Sequence, residues 1–523
     1  MSTNSDAAAT PPVPLPAPER CAALRDAFLA QGFTADGVLE LLGGPAYAAL
    51  GRGETVPAER ATREPGPLAA LVRLFLLQGA VPRSAVADVL PVEECLADGW
   101  LRAEGDLVRA AVDVRPYGGP DGQDWFVVSD LGCAVGGAAG ARGGPDVVLG
   151  VGGASMTLAG ITVRDKGVRV LDLGAGSGIQ ALHAGVHASS VTATDLNPRA
   201  LAATRLTLGL SGAAEAELHE GSLFEPVAGE SFDLVVSNPP FVISPSRRLT
   251  YRDGGMRGDE LCRSLVEQAG AYLSEGGYCQ LLANWEHTGE GDWRERVARW
   301  VPAGCDAWIV QREVQDVAEY AELWLRDAGD RPGADAYAER YDAWLEEFAS
   351  RGTRAVGFGW ITLRKSAAAV AGGASLTVEE WPHAVEQPLG DEVRGHFARQ
   401  DFLRGVRDDS LLATKFVMAG DVVQEQVGRP GEEDPEHVVL RRGRGMRRAL
   451  RADTVGAGFV GACDGSLSAG RILDAIAQLV GEDSGALREA TPRVIREMVA
   501  EGFLEPVAAA ERGASMRAPS RRP

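Results

Sequence analysis

From about Asp121 to Lys365 the chain alternates short runs of β-branched and apolar residues with stretches of helical periodicity. An open, mainly parallel α/β sheet reads this way. The pattern predicts strands over Val168–Leu173, Ser190–Asp195, Ala216–Glu220, Phe232–Ser237, Tyr278–Ala283, Asp306–Gln311 and Val356–Leu363. Helical patterns lie between most of them. After the sixth strand a helical insertion, DVAEYAELWLRDAGD and then DAYAERYDAWLEEFASRG, precedes the last strand. The expected fold class is α/β, a seven-stranded Rossmann-like sheet over residues 119–366.

The flanks read differently. Residues 1–18 are rich in Ala and Pro, can bury little apolar surface, and are expected to be a disordered tail. Residues 19–118 are mainly helical, with a break near Gly79 and Pro82 and two short β-like runs around Gly105. This suggests a helical, winged-helix-like domain, or more plainly a small accessory domain with no nucleic-acid contact. The Ala/Gly-rich stretch after Ser366 marks a boundary, and residues 367–510 are expected to form an α+β domain with a winged-helix-like end. Residues 511–523 read as a loose tail.

Composition narrows the class. A chain of 523 residues is too long for one core, and its 45% hydrophobic content is ordinary for a globular protein. The net charge of -21 repels polyanions at long range, which counts against non-specific nucleic-acid binding. Cys21, Cys95, Cys133, Cys262, Cys279, Cys305 and Cys463 contain no C-x-x-C pair, so neither a zinc site nor a disulfide framework is expected. The first residues lack a charged start followed by an apolar core, and no run reaches the ~18 apolar residues of a membrane helix. The expected setting is a reducing cytoplasm, with no membrane partner.

Chemistry enters with four motifs. In VRVLDLGAGSGIQALHAG, residues 168–185, an apolar strand leads into Gly174, Gly176 and Gly178, which allow positive φ and a close ligand approach. This is G-x-G-x-G rather than the dinucleotide G-x-G-x-x-G. Asp172 stands two places ahead, where a carboxylate suits an ammonium group. In VTATDLNPRAL, residues 191–201, Asp195 ends the second strand, where it can accept both ribose hydroxyls; its plainer role is a helix N-terminal carboxylate. Ser222 and Leu223, in GSLFEPV, could line an adenine or simply form a strand-to-loop turn. In FDLVVSNPPFVISP, residues 232–245, a buried strand runs into Asn238-Pro239-Pro240-Phe241. Two prolines make a rigid extended backbone that can aim the Asn238 side-chain oxygen and the Pro239 carbonyl at one place. Two fixed acceptors suit a planar NH₂ group, and Phe241 offers a face for it to stack on. The plainer reading is a structural Pro-Pro turn with a capping Asn.

Residues 168–285, through LDLGAGSG, ATDLNPRAL and SNPPFV, resemble the class I Asn/Asp-Pro-Pro-aromatic amino-methyltransferases in residues and spacing. That group includes the glutamine methyltransferases of release factors and ribosomal proteins, and methyltransferases of exocyclic amines in adenine or guanine. The resemblance implies S-adenosyl-L-methionine as methyl donor and a macromolecular acceptor, protein or RNA. It implies a donor site of Asp172, Gly174, Ala175, Gly176, Gly178, Asp195, Leu196, Ser222, Leu223 and Asn238. Asn238, Pro239, Pro240 and Phe241 are the implied catalytic set, and no metal is implied. The chain departs from the group in having Phe241 where Tyr is commoner. It also shows no obvious match to that group's N-terminal substrate-binding domain, and it adds a C-terminal extension of roughly 155 residues.

The expected activity is therefore N-methylation of an amide or amine, with protein glutamine the favoured acceptor. An exocyclic amine of RNA or DNA is the alternative, and a non-catalytic S-adenosylmethionine-binding protein a third reading that would not need the Asn-Pro-Pro-Phe motif. Oligomeric state is not legible. Among the remaining residues, His183 and His187 read as ordinary helix residues, and His287 as bordering the pocket or the surface. Arg252, Asp253 and Arg257 are candidates for acceptor contact or for a solvated loop. The arginines at 441, 442, 444, 447, 448 and 451 could face RNA or an acidic protein, or form a solvated hairpin paired with the acidic loop GEEDPEH.

Overall fold

The structure is a computed structural model that describes residues 12–132, 146–245, 255–289, 291–330, 332–333, 336–430 and 436–507. The chain divides into two compact units. One contains the residues up to Ala159 together with Arg164–Pro382; the other contains Gly160–Val163 and the chain from His383 onward.

The first unit is built on an eight-stranded sheet. Its strands are β1 (Val168–Leu173), β2 (Ala188–Asp195), β3 (Glu217–Glu220), β4 (Phe232–Ser237), β5 (Leu273–Thr288), β6 (Cys305–Asp316), β7 (Thr353–Lys365) and β8 (Leu376–Glu380). Their order across the sheet is β3-β2-β1-β4-β5-β7-β6-β8. The first five run parallel, and β7 lies antiparallel between β5 and β6. All seven predicted strands are present. The eighth pairs in parallel with β6, although it lies beyond the Ala/Gly-rich stretch that reads as a boundary. Asp306 explains the join: it accepts hydrogen bonds from Ser375 N–H, the Ser366 hydroxyl and Arg364, which tie both sides of that stretch to the start of β6.

Helices follow the strands: α1 (Ile179–Gly185), α2 (Pro198–Ser211), α3 (Glu260–Ala269), α4 (Trp293–Ala298), and the insertion helices α5 (Val317–Asp327) and α6 (Tyr337–Arg351). The N-terminal layer consists of short helices beginning at Pro18 and a small antiparallel sheet, Val81–Pro82, Leu107–Ala110 and Leu101–Glu104. Phe28 packs within 5.0–5.2 Å of the Phe33, Phe75 and Phe126 rings. Leu206 and Leu210 of α2 complete the same cluster, so this layer shares its core with the sheet's own helix. Residues 12–17, expected to be disordered, are placed: Pro14 is buried and Leu15 N–H donates to Asp98 O. Residues 1–11 and 508–523 lie outside the described residues.

The second unit is α+β. Its core gathers Phe416, Phe459, Leu473, Ile495 and Phe503 between helices and two three-stranded antiparallel sheets. The predicted run of three helices and a strand is Ala469–Val480, Ser484–Ala490, Pro492–Ala500 and Leu504–Pro506. Three of the six clustered arginines are paired with carboxylates: Arg441 with Glu425, Arg442 with Asp421, and buried Arg448 with Glu501. These partners are not the acidic loop of the sequence reading, whose residues 431–435 lie outside the described residues.

Candidate active site

Strand register brings the four motifs together. Leu173 of β1 stands opposite Ser237 of β4 on one side and Thr194 of β2 on the other. The next residues on the three strands are Gly174, Asn238 and Asp195. They therefore leave the sheet side by side, separated by the ~4.8 Å spacing of neighbouring strands. Asp195 in turn faces Glu220, after which β3 runs into Ser222 and Leu223. The strand order reverses between β1 and β4, and ligands of open α/β sheets bind outside the carboxyl ends at such a reversal.

The glycine turn does two jobs. Gly174, Gly176 and Gly178 have φ of 79°, 57° and 82°. A Cβ on Gly178 would lie 3.0 Å from Thr204 Cγ2 of α2, so this glycine permits close helix packing. At Gly174 and Gly176 a Cβ would meet nothing within 4 Å, so the turn opens onto free space there. Gly174 and Ala175 N–H both donate to Thr194 O, which holds the turn over the end of β2.

The two acidic residues differ in exposure and bonding. Asp172 is buried, and its Oδ2 accepts the Ala181 N–H in the first turn of α1. Burial pushes its pKa up to about 7, and the nearby Asp195 charge adds to the rise. Asp195 accepts Gly176 N–H on Oδ2 (3.0 Å) and Asn197 N–H on Oδ1 (2.8 Å). Burial raises its pKa as well. A carboxylate offers about four lone-pair directions; with the Leu196 N–H also bearing on it, Asp195 retains capacity for a further donor. The neighbouring Leu196 is 67% exposed. Leu223 holds a φ of 49°, a left-handed conformation that few non-glycine residues adopt.

The Asn-Pro-Pro-Phe turn is fastened at its start by the Ser237 hydroxyl, which donates to Leu173 O at 2.7 Å. The Asn238 side chain is partly buried and makes no hydrogen bond among the described residues. Pro239 is buried, and Phe241 is half-buried where two apolar clusters meet. Neither Ser237 nor Tyr320, which anchors the turn's far side, was singled out from sequence. Ser237 could have been, since a hydroxyl at a strand end beside the motif is a ready cross-strand donor.

Other candidates lie elsewhere. His183 is buried against Tyr117 and Trp125, with Nε2 2.9 Å from the Tyr117 hydroxyl; burial, with Arg164 beside it, lowers its pKa to about 4. His187 falls just past the end of α1. His287 is half-buried, stacked on Trp293 and 2.7 Å from Gln311 Oε1. Arg257 extends toward Glu347 and Ser350 of α6, while Arg252 and Asp253 lie outside the described residues. A surface groove of about 350 Å³ between the end of β6 and α5 is lined by Glu313, Glu319, Glu322 and Arg326 and by none of the predicted site residues.

Residues 152–292 match the family model described as methyltransferase small domain. The central segment carries a methyltransferase small domain. Residues 30–111 and 394–506 each match a domain of unknown function. The chain is 38% identical over 121 residues to the release factor glutamine methyltransferase of Deinococcus radiodurans, covering 21% of this chain and 43% of that protein. It is 39% identical over 118 residues to the ribosomal RNA small subunit methyltransferase C of Chromohalobacter salexigens, covering 23% and 32%. The chain thus spans less than half the length of these curated relatives. Among solved structures it resembles a T. thermophilus 16S rRNA methyltransferase in complex with AdoMet and guanosine, at 16% identity and a TM-score of 0.27, over 55% of this chain and 63% of that one. No helix among the described residues is long and apolar enough to cross a membrane.

Proposed function

We propose that this protein is an S-adenosylmethionine-dependent N-methyltransferase acting on a planar amide or amine nitrogen of a macromolecule. The observation that carries this reading is the register of β2, β1 and β4, which delivers Asp195, Gly174 and Asn238 to one edge side by side. The residues present fit the donor. The turn at Gly174 and Gly176 opens onto free space, Asp195 retains capacity for a ribose hydroxyl, and Leu196, Ser222 and Leu223 border the same edge. Asp172 would lie behind the turn, near the methionine ammonium. Bound S-adenosylmethionine would supply an electrophilic methyl group.

The chain's own part in the reaction is orientation. The nitrogen of an amide or aromatic amine is a weak nucleophile because its lone pair is delocalised. Asn238 Oδ1 and Pro239 O would accept its two N–H hydrogens, while Phe241 stacks against the planar group. Held this way, the nitrogen faces the crevice, and the two oxygens stabilise the positive charge that grows on it. No side chain need remove a proton first, and one can leave to water afterwards.

A polypeptide acceptor, with glutamine as the methylated side chain, is favoured over nucleic acid. The net charge of -21 and the pairing of Arg441, Arg442 and Arg448 with carboxylates both support this choice. The buried, free thiols of Cys21, Cys95, Cys262, Cys279, Cys305 and Cys463 accord with a reducing, cytoplasmic setting. The test is incubation with labelled donor and cell extract. Label removed by protease but not by ribonuclease is expected, and the reverse would overturn the polypeptide acceptor. Asn238→Ala should abolish transfer. Transfer at the wild-type rate by that variant would overturn the mechanism.

A further inference from the structure

The helical insertion between β6 and β7 contributes nothing to the donor edge, yet both of its helices are fastened to the stretch that follows Asn-Pro-Pro-Phe. At the entry of that stretch the buried Ile243 N–H donates to the Tyr320 hydroxyl of α5 at 2.9 Å. The same hydroxyl accepts Asn284 Nδ2 of β5, also at 2.9 Å. Tyr320 is fully buried, with the Trp344, Phe348 and Phe358 rings 5.5–5.9 Å from its own. Its hydroxyl is thereby held in one place. At the exit, a Cβ on Gly258 would sit 2.7 Å from Glu286 Oε2 of β5 and 3.3 Å from Arg351 Nε of α6, and the neighbouring Arg257 donates to the Ser350 hydroxyl of α6 at 3.3 Å. Glu286 is itself held by Arg351 and by the Thr353 hydroxyl, each at 2.8 Å. The next residue, Asp259, accepts a bidentate pair from Arg296 and the Glu286 N–H.

We infer that this insertion positions the acceptor-gripping turn, with Tyr320 as the positioning residue on its far side and Arg351 as a second one where the chain enters α3. The inference rests on the methyl-transfer reading above. Only four residues separate Asn238 from Ile243, and the first two are the rigid Pro239-Pro240 pair. A shift at Ile243 therefore passes back to the two acceptor oxygens instead of being absorbed on the way. Displacements approaching 1 Å at such a site cost about 100-fold in rate. The donor edge is reached through β1, β2 and β3 and should not feel the change.

Tyr320→Phe keeps the ring and deletes the hydroxyl. Two quantities are measured: S-adenosylmethionine affinity by calorimetry, and single-turnover transfer of tritiated methyl into the protease-sensitive fraction of the extract over a dilution series. The expected result is unchanged donor affinity, an unchanged half-saturating extract concentration, and a maximal rate lowered about tenfold. Tyr341→Phe, which removes a hydroxyl bonded to Glu322 within the insertion, should run at the wild-type rate. If Tyr320→Phe does not fold, Arg351→Lys tests the exit with the same two readouts. A wild-type maximal rate overturns the inference, and so does a loss of donor affinity parallel to the loss of rate. Asn238→Ala, run alongside, separates the two levels. If it keeps full transfer, the methyl-transfer mechanism itself has failed. If it abolishes transfer while Tyr320→Phe does not slow it, only the positioning role has.

Discussion

Asp172→Asn should make the protein relatively more stable as pH rises. In the folded chain the Asp172 carboxyl is buried and its pKa is pushed up to about 7, against an ordinary value of 3.8 for an aspartate. A raised folded pKa means that stability is fully present below pH 3.8 and is lost as pH climbs to 7. Above 7 the loss is complete and the curve is flat. Each unit of pH between the two values costs about 1.4 kcal/mol. Two such units lie between pH 5 and pH 7, so the wild type should lose about 3 kcal/mol from this residue between pH 5 and pH 8. An asparagine carries no charge at either pH and can still accept the Ala181 N–H through its amide oxygen. The stability difference, variant minus wild type, should therefore grow by about 3 kcal/mol over that interval. Urea unfolding of both proteins at half-unit steps, followed by tryptophan fluorescence, measures it. Saturating S-adenosylmethionine should flatten the wild-type slope, because an ammonium beside the carboxylate lowers its pKa again. A variant curve that runs parallel to the wild type from pH 5 to pH 8 would refute the reasoning.

Two further predictions concern packing. Gly178→Ala combines a left-handed φ of 82° with a 3.0 Å approach to Thr204 Cγ2, and should destabilise the protein by about 1–2 kcal/mol in urea unfolding even without donor. Arg364→Met leaves the Asp306 carboxylate fully buried without its guanidinium partner, which should cost about 3–5 kcal/mol; thermal unfolding should fall accordingly.

The meeting of Gly174, Asp195 and Asn238 at one end of the sheet was legible because its determinants are local. Glycines at alternate positions after an apolar strand can only be a turn, and an acidic residue ending the next strand lands beside it whenever the two strands pair in parallel. The same holds for Asn238, whose strand is apolar from Phe232 to Val236. The eighth strand was not legible, since five residues after an Ala/Gly-rich stretch carry no periodicity long enough to stand out. What joins them to the sheet is Asp306, 69 positions away from its Ser375 donor. Residues 12–17 escaped for a similar reason: their order comes from packing against distant core residues and not from any pattern of their own.

Tyr320 shows where such reading stops. Within its own helix it is one aromatic residue on an apolar face, and nothing nearby distinguishes it from Trp324 or Trp344. Its place in the chemistry follows from a bond to a backbone N–H 77 residues earlier. That bond exists only because β7 lies between β5 and β6, which brings the insertion back toward the end of β4. A motif states which atoms can grip a planar nitrogen; it does not state what keeps those atoms still. In this chain that second task falls to an insertion with no motif.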